Sequence, residues 1–387
     1  MGPNLELSKV IYVSRVLLGA AAVCLVGLLA TLILGTADFA GPFVVGFFTL
    51  LGLGARGTPV LRPFSFTIWI FAAVSAAMFY PAYFQRVGEF ELDQLIVPLI
   101  QLIMFGMGTA MSVKDFVGVA KMPKGILVGI ACQFSIMPLL GLTLATAFGF
   151  PAEVAAGVVL IGSAPSGVAS NVMAYIAGAN LALSITLTAV ATLMAPFVTP
   201  LLMKLLAGQF VPIDFFAMMF GIIKMVIIPI VLGLGFNKLM HGRAEWLDRA
   251  MPVVSMVGIA VIITIITAAG RDSLLAVGPA LVAAAIIHNG LGYLFGYWGS
   301  RLAGMDERSC RTISIEVGMQ NGGLASGIAL QMGKLATVGL APAIFGPWMN
   351  ISGSALANWW RRNPLDEPDA ATIEAEPKDP EPKVVAT

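Results

Sequence analysis

The chain has 387 residues, 58% of them hydrophobic and 11% charged, with a net charge of +1 and a mean hydropathy of +0.91. A soluble chain of this length carries roughly twice that charge fraction, so a set of soluble domains is excluded and one polytopic helical membrane domain is implied. The near-neutral balance gives no basis for binding nucleic acid. Cys24, Cys132 and Cys310 lie scattered in or beside apolar runs with no disulfide or metal spacing, and His241 and His288 are too few and too distant for a zinc motif.

In chain order, the apolar runs predict membrane segments over 9–35 and 40–56, which form a helical hairpin, then over 65–84, 92–111 and 124–148. The first run is too long for a signal-peptide core and no polar mature domain follows, so a retained anchor is expected. Segment 152–177 is interrupted at Ala164-Pro165-Ser166-Gly167. Segments follow at 181–206, 215–237, 251–269 and 275–300, then a second interrupted one at 309–333 and a last at 338–360, twelve in all. The tail 363–387 is rich in Pro, Glu and Asp with little to bury, and is expected to be disordered.

With both termini cytoplasmic, fifteen Lys and Arg residues fall at inner ends and loops, among them Arg56, Lys114, Lys121, Arg243 and Arg311. Only Arg86, Lys204, Arg271 and Lys334 fall outside, which is a positive-inside pattern. Lys224, within GIIKMVIIP, is a deep charge expected to pair structurally or to snorkel along its stem.

The most informative stretch is RTISIEVGMQNGGLASGIALQ, Arg311 to Gln331. An ionised carboxylate at mid-bilayer, as Glu316 would be, costs at least ~2.5 kcal/mol and needs a partner or a water-filled cavity. The Asn321-Gly322-Gly323 step favours a break, giving half-helices at about 309–320 and 323–333. Backbone freed inside a membrane is tolerated only where protein or a cavity covers it, and such breaks mark the ion and substrate sites of secondary transporters.

Pro165-Ser166-Gly167-Val168-Ala169-Ser170 is echoed by Asn321-Gly322-Gly323-Leu324-Ala325-Ser326. Each break is followed by a helix with a central proline, Pro196 and Pro347. Five segments over 65–206 and five over 215–360 would then be two halves, inverted in the membrane because each holds an odd number of spans.

At this point the chain from about 61 to 360 resembles the bile acid:sodium symporter family, including bacterial homologues of the apical transporter. The resemblance rests on Met104-Phe105-Gly106-Met107-Gly108, the run from Gln133 to Pro138, PSGVASNVMAY from Pro165 to Tyr175, EVGMQNGG from Glu316 to Gly323, and Asn350-Ile351-Ser352-Gly353-Ser354. It implies an all-α polytopic membrane fold of ten helices in core and panel domains, with two broken helices crossing in the core. Residues 1–60 would be an extra N-terminal hairpin, 61–362 the symporter domain, and 363–387 a cytoplasmic tail in a bacterial inner-membrane protein. It implies no catalysis.

The resemblance also implies two sodium sites, the first from Ser170, Asn171, Ser184, Thr188 and Glu316. The second would use Gln133, Glu316, Gln320 and the carbonyls of Val317 and Met319. Sodium is a hard cation, and all of these are oxygen donors. Ser184 and Thr188, four residues apart, share a helix face. A small organic anion such as a bile acid, pyruvate or pantoate would bind in front of the crossing near Gly167, Val168, Gly323 and Asn350, with Met349 and His288 as candidate lining residues. Met349 stands where bacterial relatives commonly have histidine, and Val168 where some have threonine, so the cavity differs at the substrate. Other classes compatible with the residues are an ion-binding sensor or structural protein without transport, and an intramembrane hydrolase using Ser166 or Ser170 with His288 or Glu316.

Overall fold

A computed structural model describes residues 3–55, 57–58, 61–111, 122–240 and 245–364. The tail from 365 onward, together with Arg56, Lys114, Lys121 and Arg243, lies outside the described residues.

The described chain is almost entirely helical. Helices α1 (Pro3–Ile33) and α2 (Ala40–Ala55) form the N-terminal hairpin, and α2 leans on α3 (Ser65–Phe79). Helix α3 stops short of Pro81, which cannot continue the hydrogen-bond ladder. A single turn, Ala82–Gln85, and a small hairpin pairing Arg86–Val87 with Phe90–Glu91 replace the helix end expected to run to residue 84. Gly88 supplies the left-handed backbone of that turn, at φ +62°. Then come α4 (Ile96–Ala110) and α5 (Pro123–Ala147).

The first broken segment is α6 (Ala152–Ser163) and α7 (Ala169–Ile176), with the break where the sequence puts it. Helix α8 (Leu181–Leu202) follows, capped by the Asn180 side chain, which accepts from Leu183 N–H at 3.0 Å. The span expected at 215–237 is not one regular helix. It is α9 (Phe215–Ile222), a π-helical turn (Ile223–Ile227) and α10 (Ile228–Met240). Pro229 has no N–H to return to Lys224 O in that wide turn, and Gln101 Nε2 donates to this oxygen instead, at 3.2 Å.

Helices α11 (Glu245–Ala269) and α12 (Arg271–Leu302) lead to the second broken segment, α13 (Glu307–Gly318) and α14 (Gly322–Gln331), and to α15 (Leu340–Arg362). Among the described residues seven helical runs are long and apolar enough to cross a membrane alone, and α2, α3 and α6 are shorter apolar helices. The protein is an all-α, multi-pass membrane protein.

Helix α11 packs on α3 and α4, and α4 on α10, while α5, α8, α12 and α15 enclose the broken segments. Helix α14 also reaches across to α4 and α9. Some of these approaches have no room for a side chain. A Cβ on Gly108 would clash with Ile230 O, and one on Gly233 with Phe105 O, so α4 and α10 meet backbone to backbone. Overpacking such a contact costs about 1–3 kcal/mol. Gly108→Val and Gly233→Val should therefore lower the thermal midpoint of the detergent-solubilised protein by several degrees. Gly235→Ala, which meets nothing within 4 Å, should leave the midpoint unchanged.

Candidate ion and substrate site

The two breaks pair with each other. Ser166 and Gln320 form an isolated antiparallel bridge in which Gly167 N–H donates to Met319 O at 2.9 Å and Asn321 N–H donates to Pro165 O at 2.8 Å. Extended backbone in a buried setting needs such partners, and here each broken segment satisfies the other. Gly167 is required by the approach, since a Cβ there would lie 2.9 Å from Gln320 O. The second break falls at residues 319–321, earlier than expected. Asn321 acts as the cap of α14, its Oδ1 accepting from Leu324 N–H at 3.0 Å, so Gln320 joins the extended segment rather than a helix.

Behind the crossing, Glu316 is 2% exposed. Its Oε1 accepts from Ser170 Oγ at 2.6 Å and Ser184 Oγ at 2.5 Å, and its Oε2 accepts from Thr188 Oγ1 at 2.8 Å. Asn171 Oδ1 closes the ring, 2.8 Å from Ser184 Oγ and 3.3 Å from Thr188 Oγ1, an alternative acceptor for the one proton that each hydroxyl carries. Three helices supply this collar: α7 brings Ser170 and Asn171, α8 brings Ser184 and Thr188, and α13 brings Glu316. All five residues of the first cluster are thus brought together. Among the described residues no lysine, arginine or histidine lies within ion-pair distance of Glu316. A hydroxyl has two acceptor lone pairs besides its proton, so the same Ser and Thr oxygens can turn toward a cation.

The residues of the second cluster sit beside the break. Gln133 Nε2 donates to Gln320 Oε1 at 2.7 Å and to Ala164 O at 3.0 Å. Gln320 Nε2 donates to Val317 O at 2.6 Å. Gln133 Oε1 is buried with no hydrogen-bond partner. An orphaned buried acceptor is costly, on the order of 1–3 kcal/mol, and a cation at that position would relieve it.

Of the substrate candidates, Gly167, Val168 and Gly323 flank the crossing, with Val168 exposed and Gly323 half-buried. Asn350 is half-buried on α15, its Nδ2 donating to Gly346 O at 2.9 Å, and Met349 O accepts from Tyr293 Oη at 3.3 Å. His288 packs against Gly162 near the end of α6. It is 1% exposed, with Nε2 2.9 Å from Met137 O and its ring edge-on to Phe345.

Sequence reasoning missed the support on the far side of the break. Asn289 Nδ2 donates to Gly318 O at 2.8 Å, and its Oδ1 accepts from Ser352 Oγ at 2.5 Å, so α12 and α15 hold the carbonyl at the end of α13. The polar pair His288-Asn289 in an apolar helix was the available signal. Arg311, counted as an inner-loop charge, is in fact 6% exposed. It pairs with Glu307 at 3.1 Å, donates to Asn363 O at 3.2 Å and lies over the Trp360 ring. Lys224 is exposed on its helix, and among the described residues it has no acidic partner.

This fold and site define a multi-pass membrane protein whose two crossed, broken helices enclose an oxygen-lined, carboxylate-centred cluster. The chain belongs to the sodium bile acid symporter family, whose model matches residues 97–277. It is 37% identical over 299 residues to an uncharacterized sodium-dependent transporter, YocS, of Bacillus subtilis strain 168, covering 77% of this chain and 91% of that one. It is 33% identical over 299 residues to the probable chloroplastic sodium/metabolite cotransporter BASS1 of Arabidopsis thaliana, covering 77% and 74%. To the human ileal sodium/bile acid cotransporter it is 31% identical over 250 residues, covering 63% and 71%. These relatives are named as transporters and not as enzymes, and the hydrolase alternative is set aside. The capping role of Asn321 is directly testable. Asn321→Ala should cost about 1 kcal/mol, seen as a lowered unfolding midpoint, whereas Asn321→Ser, which keeps a neutral cap acceptor, should cost less.

Proposed function

We propose that the protein is a sodium-coupled symporter of a small organic anion, binding two sodium ions and working by alternating access in a bacterial plasma membrane. The observation that carries the reading is Glu316: a buried carboxylate, ringed by Ser170, Asn171, Ser184 and Thr188, with no cationic side chain at ion-pair distance among the described residues. A buried charge needs a partner, and an oxygen cage of this kind suits a hard monovalent cation. The similarity to proteins named as sodium-dependent supports the choice of sodium.

The first ion would take Ser170, Asn171, Ser184, Thr188 and one oxygen of Glu316. The second would take the other carboxylate oxygen, Gln133 Oε1, Gln320 Oε1 and the carbonyls of Val317 and Met319. The anion would bind in front, near Gly167, Val168, Gly323 and Asn350, where the half-helix N-termini offer positive dipole ends. Bile acids, pyruvate and pantoate are the candidates. Val168 and the apolar Met349 lining favour a pocket unlike that of relatives with threonine and histidine there.

Charge explains the coupling. Two sodium ions with one carboxylate leave the cluster near +1, and in a low-dielectric interior that charge is felt across several ångströms. An anion at the crossing relieves it, so sodium raises anion affinity and, by linkage, the anion raises sodium affinity by the same factor. The core around the two broken segments would move against the panel of α3, α4, α10 and α11, each body drawing on both inverted halves, 65–206 and 215–360, with both termini cytoplasmic. The hairpin over 1–60 would stand outside this cycle.

Glu316→Gln keeps the shape of the side chain but would leave two bound ions near +2, so at least one ion should be lost. Sodium-driven uptake into proteoliposomes should vanish while the protein still inserts and folds. Uptake at the wild-type rate with unchanged sodium dependence would contradict the shared carboxylate. Ser184→Ala and Thr188→Ala each remove one neutral ligand and should weaken sodium binding by roughly ten- to a hundredfold, about the worth of one hydrogen bond to a charged group. A chain beginning at Thr58 should retain sodium-dependent ligand binding. A folded truncation without a sodium response would show that the hairpin shapes the site.

A further inference from the structure

A line of oxygen-bearing groups leaves the Glu316 cluster toward the starts of α5, α8 and α13. One turn back from Glu316 on α13 lies Thr312, and one turn back from Ser184 on α8 lies Asn180. The two residues clasp each other: Thr312 Oγ1 accepts from Asn180 N–H at 2.9 Å and lies 3.1 Å from Asn180 O and 3.0 Å from Arg308 O. Thr312 is wholly buried. Beyond the clasp is a surface cavity of about 270 Å³ at the starts of α5, α8 and α13. Asn180, Ser309 and Asp306 line it, with Lys124 on its other side. Glu316 and Ser184, then Thr312 and Asn180, then Ser309 and the cavity form a continuous polar series of helical-turn steps.

The opposite side of the crossing differs. The outer ends of the broken segments are also tied there, Glu153 at the start of α6 pairing with Lys334 and accepting from Thr337 Oγ1 at 2.6 Å. On α6 the stretch from Val154 to Ile161 is apolar and buried, and the buried polar residues on this side, Ser163 on α6, Ser326 on α14 and Thr192 and Thr199 on α8, lie nearer the crossing than the tie. Along α6 itself, from Val154 to Ile161, a dehydrated cation finds no oxygen side chain.

We infer that sodium passes between the Glu316 cluster and water through the cavity at the starts of α5, α8 and α13, with the Thr312–Asn180 clasp as its gate. This rests on the Glu316 cluster being a sodium site. When the clasp parts, the Thr312 hydroxyl and the Asn180 carbonyl replace water for the ion over the one turn separating cluster from cavity. Asp306 at the mouth favours the cation, while Lys124, whose Nζ donates to Gly304 O at 3.2 Å, opposes it. Thr312 is then a positioning and gating residue and not a ligand of the resting ion.

The test separates rate from affinity. In wild type, Thr312→Val and Thr312→Ser, sodium exchange is followed with radioactive sodium in proteoliposomes and equilibrium sodium binding is titrated on purified protein. Valine keeps the volume and removes the oxygen. Exchange by Thr312→Val should slow by about tenfold, the loss of roughly one hydrogen-bond equivalent at the barrier. Its half-saturating sodium concentration should stay within about twofold of wild type, and Thr312→Ser should exchange normally. Wild-type exchange in Thr312→Val, or a parallel fall in exchange and affinity, overturns the gate. Lys124→Glu, at an exposed position, provides a second test in case the valine variant does not fold. Exchange should accelerate at low ionic strength and return toward wild type in high salt supplied as a non-sodium electrolyte, and an unchanged rate at low ionic strength overturns the route. Loss of sodium binding in wild-type protein would instead defeat the site reading itself, so the two failures are distinct.

Discussion

The structure depends on the exchange of two backbone hydrogen bonds in its interior. Gly167 N–H to Met319 O and Asn321 N–H to Pro165 O let two helices be broken at the same depth without leaving their peptide groups unpaired. Neither break could stand alone in an apolar environment, because each would expose several unsatisfied polar groups. Together they form a rigid crossing, and its consequences are local and chemical. The crossing ends α13 just past Glu316 and starts α7 just before Ser170, so the carboxylate and the hydroxyl that meets it at 2.6 Å come from opposite sides of the junction.

The rest of the core reads as support for that junction. Asn289 and Ser352 hold Gly318 O from behind, Gln133 bridges Gln320 and Ala164 O, and the glycines let neighbouring backbones close in. Glu316, Ser170, Ser184, Thr188 and Thr312 are all nearly or fully buried, whereas the matching stretch of α6 is apolar. A carboxylate in this position is stable only with compensation. Three hydroxyls donate to it, and in the proposed cycle sodium supplies the positive charge that they lack.

Much of this was legible in the chain itself. Hydropathy located the helices, and Ala164-Pro165-Ser166-Gly167 located the first break because proline and glycine are poor at continuing a helix. Glu316 announced itself by the expense of a charge at that depth. The second break was misplaced because Asn321 reads equally as a breaker and as a cap, and only the Leu324 N–H bond settles which. The π-helical turn at Ile223–Ile227 depends on Pro229 and on Gln101, 123 positions away from the Lys224 carbonyl it satisfies, a long-range partner that periodicity does not carry. The same holds for the collar. Ser184 and Thr188 are legible as one face of one helix, but their meeting with Glu316, more than a hundred residues later, came from the family resemblance and not from spacing. Arg311 misled for a related reason: a charge near a helix end is ordinarily solvated, and here Glu307, Trp360 and Asn363 enclose it.

The central claim is that a cation-filled cluster behind the crossing sets the affinity of the anion in front of it. The most direct measurement is the dissociation constant of a transported carboxylate on purified protein over a wide range of sodium concentrations, at constant ionic strength with a bulky organic cation as replacement. Two coupled ions predict that, below saturation, anion affinity rises with about the second power of free sodium and that the anion tightens sodium binding by the same factor. An anion affinity that does not change with sodium would contradict the account.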